Sequence, residues 1–531
     1  MGRNAAGESF LRGYLRHSTA SELWAQVTNA QQGQAFSQLV RNLGDSRPVC
    51  IIEPASLADL SQSGTVYLPG PNLGEHAWPR GAMEHTHWSL CGITHTTASA
   101  GAMEGITGLL TAPVQPWDAL ICTSTAVQDN VQRLLTAQQE YLQQRLGAQQ
   151  FVLPRLPIIP LGIHTSDFAF TPDQRQSARQ QLGIGTDTLV VLFAGRLSFH
   201  AKAHPLAMYQ ALEQAVRQTG QSVLLIECGW HANEHIQRAF ADTAQTYCPS
   251  LRLLSLDSRN EVNRQAAWAS ADLFCSLSDN LQESFGLTPV EAMAAGLPVV
   301  VSDWDGYRDT VRDGIDGFCV PTLMPEAGLA DDLAQRHALG SDTYDMYIGH
   351  TCSLIAVDIE ATTRAFVELF QSAELRQRMG EAGRQRAREV YDWSVIIPRY
   401  EELWAELAEL RQQEGPELPT LKHPWPARLE PFHAYASYPT RILSAETRLE
   451  LADADPNTAW QRVQRFQQLA MVNFAHYVIP WEEEIRTVLA GLATGPQEAR
   501  QLVEEIPLER QAFVLRGLVW LVKLGVLRVV P

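Results

Sequence analysis

The chain has 531 residues, 45% of them hydrophobic and 19% charged, with a net charge of −18; that is room for about three domains with cores of their own and excludes a disordered or fibrous chain. The acidic balance argues against broad binding to nucleic acid or anionic lipid and leaves only a local patch open. Eight scattered cysteines without metal-ligand spacing, no apolar run of membrane-span length, and a polar, arginine-interrupted start over Met1–Arg16 point to a reduced, cytoplasmic protein without a signal peptide, with peripheral membrane contact left open.

The opening Gly2–Leu15 reads as a glycine-containing loop entering a helix, with Ser9 as its candidate N-cap. Pro48–Glu53 and Thr65–Leu68 read as strands. Trp88–Thr94 is another, and it places His95 at its carboxyl end, where an open parallel sheet faces its ligand. Val127–Leu146 reads as a helix, with Ser124 or Thr125 as its candidate cap. Leu156–Leu161 is a strand.

Thr188–Ala194 is a buried strand leading into Gly195-Arg196-Leu197 and then Lys202. Lysine occurs at only three positions, 202, 422 and 523, in a chain that otherwise uses arginine, so Lys202 stands out as a candidate for chemistry that needs a compact cation. Val223–Glu227 and Leu251–Leu256 continue the sheet. Ala271–Leu277 is short and apolar, like a strand buried on both faces. After a polar loop carrying Glu283, Thr288-Pro289-Val290-Glu291 has the form of a helix start: Thr288 as N-cap, Pro289 in the first helical position, Glu291 closing a capping box. Glu283 would then lie above a strand's carboxyl end, and the amides of Phe285, Gly286 and Leu287 would face an anion such as a diphosphate. Pro298–Ser302 is the next strand, and Asp303-Trp304-Asp305 behind it reads as a loop feature. No residue set reads as a metal site.

Ile359–Phe370, Ala373–Val390 and Ile396–Leu410 read as helices. A proline-rich linker follows. Helices over Ala459–Val478, Trp481–Leu492, Ala499–Ile506 and Leu508–Leu524, closed by a strand at Val526–Val530, give a small mainly α module. Its pattern is similar to a winged helix, but its few basic residues disfavour duplex binding.

The paired glutamates Glu283 and Glu291 within ESFGLTPVEAMAAGLPVV, with Gly195-Arg196-Leu197 and Lys202, resemble the signature of retaining glycosyltransferase family 4, the glycosyl transferases group 1 of GT-B fold. The resemblance is strong from about Ala119 to Leu410 and thin before it. It implies an α/β GT-B fold with two Rossmann-like domains facing a cleft. It also implies a metal-independent, hexosyltransferase-like enzyme that moves a sugar from a nucleoside diphosphate sugar to a hydroxyl acceptor, with no cofactor. In that reading Arg196 and Lys202 stabilise the leaving diphosphate, Glu283 orients the donor sugar, Glu291 binds the ribose, and His95 reaches the sugar from the opposite domain. Gly7, in the position of the family's glycine-rich loop, would lie near the donor phosphates, with Gly195, Phe285, Gly286 and Leu287 as further donor-binding positions. His164 stands where the family has an aspartate and is given no catalytic role.

The domain layout implied is 1–155 as the acceptor domain, 156–395 as the nucleotide-sugar domain, 396–414 as a helix crossing back, 415–430 as the linker and 431–531 as an accessory module open to a protein partner. Two other readings share the fold: a binding or scaffold subunit without transfer activity, and a nucleotide-sugar epimerase.

Overall fold

The computed structural model describes residues 2–415, 418 and 421–530. It divides into two compact units, Met1–Trp425 and Pro426–Pro531. The break falls within the 415–430 linker, of which Pro416, Glu417, Pro419 and Thr420 lie outside the described residues.

The first unit contains two α/β halves. Its amino-terminal half carries β1 (Leu23–Gln26) paired in parallel with β2 (Val49–Ile52). A separate parallel sheet holds β3 (Thr65–Leu68), β4 (Ser89–Ile93) and β5 (Ala119–Ile121). Strand β1 is absent from the sequence reading because four residues, Leu-Trp-Ala-Gln, carry too little alternation to register. Beneath β4, Arg80 and Asp118 form a fully buried pair at 2.6 and 2.7 Å. Asp118 also accepts the amides of Leu90 and Gln115, both at 2.8 Å, and Arg80 donates to the Trp88 carbonyl at 2.9 Å. The two buried charges are thus paired, while Arg80 Nε has no hydrogen-bond partner.

The chain opens with a helix, Gly2–His17, where the sequence suggested a glycine loop. Gly7 is therefore an exposed position inside a helix rather than a phosphate-binding loop residue, and Ser9 is not an N-cap. The glycines lower helix propensity, but tertiary packing overrides them. Phe10 and Tyr14 dock among Tyr67, Trp393, Tyr400 and Trp404. Ser9 Oγ accepts Trp393 Nε1 at 2.8 Å, and the Ser9 carbonyl faces His164 Nε2 at 3.2 Å. Trp393 lies so close to the connecting backbone that a Cβ on Gly162 would sit 2.4 Å from its ring. Trp393 opens the helix Trp393–Glu414, which runs back along the amino-terminal half and packs on Gly2–His17 and β4.

The second half is a six-stranded parallel sheet of β6 (Thr188–Ala194), β7 (Ser222–Gly229), β8 (Arg252–Asp257), β9 (Leu273–Ser276), β10 (Val299–Ser302) and β11 (Gly317–Val320). Their order is β11-β10-β9-β6-β7-β8. Central strands are apolar on both faces because helices cover both. One face buries Val191, Phe193, Leu225 and Leu273 with Tyr209, Leu212 and Phe366. The other buries Val190, Leu192, Ile226 and Phe274 with Trp268, Val290 and Met293. Strand order reverses between β6 and β9, which creates a crevice at their carboxyl ends.

The second unit packs the helices Pro456–Gln467, Glu482–Gly491 and Leu508–Lys523 around Leu449, Val463, Ile485, Val514 and Leu518. Its antiparallel sheet joins Arg448–Leu451 to Gln497–Glu498 and Leu527–Val529. The helix expected over Ala499–Ile506 is a single 3-10 turn at Gln501–Val503, and the helix expected to reach Val478 stops at Gln467. Among the described residues, no helix is long and apolar enough to cross a membrane.

Candidate functional site

Two loops meet in the crevice between β6 and β9. The first leaves β6 at Gly195, whose amide donates to the Cys228 carbonyl at 3.1 Å, and carries Arg196 and Lys202. It folds on itself as the amides of Lys202 and Ala203 donate to the Ser198 carbonyl at 3.0 and 3.4 Å. The second leaves β9 and carries Glu283. Side chains lace the two together. Ser278 Oγ donates to the Lys202 carbonyl at 3.2 Å, Asn280 Nδ2 to the His200 carbonyl at 3.0 Å, and Asp279 accepts the His204 amide at 3.3 Å. The Ala201 carbonyl accepts both Arg196 Nη2, at 2.6 Å, and Gln282 Nε2. Across this lacing the Lys202 ammonium pairs with the Glu283 carboxylate, both side chains mostly buried.

The helix beyond Glu283 spans Leu287–Ala294 and is capped by Gly286 at φ 91°. Only glycine fits there: the backbone is left-handed, and a Cβ would lie 2.2 Å from the Tyr307 ring. The left-handed turn starts the helix earlier than the capping-box reading allowed. Thr288 is thus inside the helix, and Glu291 is not a cap and makes no box with it. The first-turn amides from Leu287 onward have no intrahelical acceptor. Phe285, one residue before the cap, is buried edge-on to Tyr391 at 5.9 Å.

Three carboxyls in and beside the crevice are held well above their ordinary range. Burial raises Glu291 to about 7, with the charges of Arg264 and Lys202 acting against it. Burial raises Asp279 to about 7. Asp305 rises to about 8 through burial and the nearby Glu283 charge; it is also the one non-glycine residue with positive φ, 43°, among the described residues. Its neighbour Asp303 lies 3.4 Å from Arg308.

The amino-terminal half closes on the same loop. His95 follows β4, is half-buried, and its carbonyl accepts Ser284 Oγ at 2.9 Å. The Ser284 carbonyl accepts Thr123 Oγ1 at 3.2 Å and Ser124 Oγ at 2.9 Å, and the Thr125 amide donates to Asp309 at 2.6 Å. Ser124 is at the same time the N-cap of the helix Thr125–Leu146. The structure therefore brings His95, Gly195, Arg196, Lys202, Glu283, Phe285, Gly286, Leu287 and Glu291 to one crevice and its border, and leaves Gly7 on a helix elsewhere. Sequence reasoning missed Asn280, Gln282 and Ser284. Their signal was their place inside the glutamate segment, where polar residues next to a strand end have backbone groups to satisfy.

Residues 174–335 match the family described as Glycosyl transferases group 1. The chain is similar to Phosphatidyl-myo-inositol mannosyltransferase of Mycobacterium leprae (strain TN), 27% identical over 283 residues, 53% of this chain and 59% of that protein. It is also similar to D-inositol 3-phosphate glycosyltransferase of Nocardia farcinica, 30% identical over 168 residues, 31% of this chain and 36% of that protein. The chain thus spans less than two thirds of the length of these relatives. The crystal structure of Anabaena Alr3699/HepE in complex with UDP and glucose aligns with a TM-score of 0.50 at 15% identity, covering 76% of this chain and 96% of that one, a likeness of fold. The match lies within a chain of GT-B fold, and residues 174–335 are the part that is similar to the glycosyl transferases group 1 family.

Proposed function

We propose that the protein is a retaining glycosyltransferase that moves a sugar from a nucleoside diphosphate sugar to a hydroxyl acceptor. The observation that carries this reading is the pairing of Lys202 with Glu283, beside Arg196, at the point where the strand order reverses. An ammonium has three protons, so Lys202 can keep Glu283 and still donate to a phosphate. Glu283 keeps acceptor capacity for sugar hydroxyls, and Glu291, about one turn into the helix Leu287–Ala294, is the carboxyl for the ribose. The first-turn amides after Gly286 favour an anion.

In the reaction, the bond between the anomeric carbon and the diphosphate oxygen breaks, and the electron pair leaves with the diphosphate. The acceptor oxygen attacks the same face, and its proton passes to the departing phosphate oxygen. Charge grows on the diphosphate as the bond stretches, and Arg196 and Lys202 are fixed cations already in place for it. This arrangement calls for no metal ion. A similar protein solved with UDP and glucose is consistent with a nucleotide-sugar donor. The acceptor domain is the amino-terminal half, with His95 at its border, and the cytoplasm is the compartment that supplies such donors.

The test is donor turnover with a panel of nucleoside diphosphate sugars, first without acceptor, in the presence and absence of EDTA. Slow hydrolysis with retained anomeric configuration, unaffected by the chelator, supports the reading. Recovery of an epimerised nucleotide sugar, or activity abolished by EDTA and restored by manganese, overturns it.

A further inference from the structure

Between Thr322–Leu323 and Ala356–Val357, which pair antiparallel, the chain leaves and returns with two helices, Asp331–Ala338 and Tyr344–Cys352. Most of this excursion lies beyond the residues matched by the group 1 family. It is organised around Asp342, whose side chain is fully buried. Asp342 accepts Arg336 at 3.0 and 2.6 Å and faces His350 Nδ1 at 2.9 Å. Arg336 and His350 hold its carboxyl down at about 2. Thr343 then caps the second helix, and Tyr344 is its first residue.

That placement has a target. Ile348 is fully buried in a small cluster with Ala98 and Ala201, against which Leu281, Tyr344 and Tyr347 pack. These residues come from the His95 loop, the Lys202 loop, the Glu283 loop and the excursion itself. A Cβ on Gly349 would lie 3.0 Å from His200 Cβ, so the helix backbone rests directly on the loop of Arg196 and Lys202. The Tyr344 hydroxyl donates to Gln282 Oε1 at 3.3 Å and lies 3.4 Å from Thr96 Oγ1. Gln282 Nε2 donates to the Ala201 carbonyl, which also accepts Arg196 Nη2. An unbroken polar chain therefore runs Thr96, Tyr344, Gln282, Ala201, Arg196. Burial pushes the Tyr344 phenol up, against the Thr96 hydroxyl and the Arg196 charge, which keeps it a neutral donor.

We propose that Tyr344 is a positioning residue of the crevice: its hydroxyl fixes Gln282, and through Gln282 the Ala201 carbonyl and the Arg196 guanidinium, in the arrangement that receives a nucleoside diphosphate. The same hydroxyl ties that arrangement to Thr96 in the opposite half. This rests on the reading of the crevice as a donor site. Gln282 has one amide to orient. With Tyr344 holding its oxygen, its NH2 group can only face Ala201. Without Tyr344 the amide can turn, and Arg196 loses the shared acceptor geometry that aims its fork.

The experiment compares wild type, Tyr344→Phe, Thr96→Val, the double variant, and Tyr347→Phe as a neighbour outside the polar chain. UDP, GDP and ADP are titrated calorimetrically. Hydrogen exchange is followed at 94–98, 196–204 and 278–284 without ligand, and donor hydrolysis is resolved into KM and kcat. Tyr344→Phe keeps the ring, so the melting temperature stays within a degree or two. It is expected to speed exchange in all three loops, weaken the bound diphosphate three- to tenfold, and raise KM by the same factor with kcat changed less than twofold. Thr96→Val adds less than its own single effect in the double variant, because the two hydroxyls share one chain. Exchange, affinity and KM unchanged in Tyr344→Phe, or changed equally in Tyr347→Phe, overturn the proposal. Wild-type protein that binds none of the three diphosphates overturns the donor reading instead, and loop exchange unaltered in Tyr344→Phe would still separately refute the positioning role.

Discussion

The Lys202 ammonium and the Glu283 carboxylate, 81 residues apart in sequence, are ion-paired across the seam between β6 and β9. Each has only a narrow opening to solvent, with side chains 19% and 11% exposed. In a pair so placed each partner offsets the desolvation of the other.

Replacing Lys202 by alanine is expected to preserve the fold and lower turnover at least about a hundredfold. A charge-assisted hydrogen bond to phosphate is worth roughly 1.5–3 kcal/mol, each 1.4 kcal/mol or so is tenfold in rate, and the share rises as charge builds on the leaving group. Lys202→Arg should not restore wild-type turnover, because a planar fork replaces a point charge where the Cε already lies 3.5 Å from the Cβ position of Gly195. Turnover at saturating donor, with circular dichroism as the folding control, decides it; near-normal activity of Lys202→Ala would remove this lysine from the mechanism.

The Arg80–Asp118 pair should behave as a structural element. Removing one partner leaves a buried charge without its counter-ion, a loss of about 3–5 kcal/mol. Arg80→Leu and Asp118→Asn are each expected to lower the urea midpoint sharply, while the double replacement loses less than the two singles combined. Additive losses would show that the two side chains act independently.

Glu291 gives a pH signature. Its folded value of about 7 lies above the ordinary carboxyl value of 4.5, so the folded protein holds this proton more tightly than the unfolded chain. The stability it contributes is whole below the unfolded value and is lost as pH rises through about 7. Asp279 and Asp305 shift the same way, so the comparison must be with Glu291→Gln. Between pH 5 and 8 the wild type should lose stability more steeply than that variant in urea titrations. Parallel slopes would mean that Glu291 is ionised throughout the range.

Gly286→Ala should be severe. It combines a left-handed backbone with a methyl group 2.2 Å from the Tyr307 ring, and strain of this kind costs about 1–3 kcal/mol before the clash is added. We expect a lower melting temperature and loss of donor binding together. A variant that melts normally and binds normally would show that the turn can rebuild without glycine.

Residues 1–425 should fold alone, whereas a chain ended at Glu414 should be less stable. Trp425 stacks on Trp78 with ring centroids 6.3 Å apart, and a Cβ on Gly415 would lie 2.4 Å from Thr86. Gly415 and Trp425 therefore both pack on the amino-terminal half. Melting temperatures of the two truncations test this; equal values would return the boundary to Glu414.

The half that carries β6 to β11 was legible because its determinants are local. Apolar runs mark β6 and β9, and the residues that project from their carboxyl ends follow within a dozen positions. That Lys202 and Glu283 serve one site was implied only through a family resemblance, and their ion pair was not foreseen, since nothing local in either loop names its partner. The amino terminus misled for a related reason. Gly7 and Ser9 have the composition of a loop, and their helix is fixed by Trp393 and Tyr400, nearly four hundred residues away. The helix start at Gly286 depended on Tyr307, again a distant ring.

Ser284 is joined through its hydroxyl to His95 and through its carbonyl to Thr123 and Ser124, and it is the residue immediately after Glu283. Any swing of one half away from the other must break these bonds and pull on the glutamate's own backbone. The populations of apposed and separated halves then enter the ligand's dissociation constant directly. If only a fraction of molecules has the halves together, the apparent constant is the intrinsic one divided by that fraction. Substitutions at Thr123 or Ser124, which need touch no ligand, would therefore register as changes in affinity, and a ligand that binds only the apposed halves would lower the population of separated ones by the same linkage.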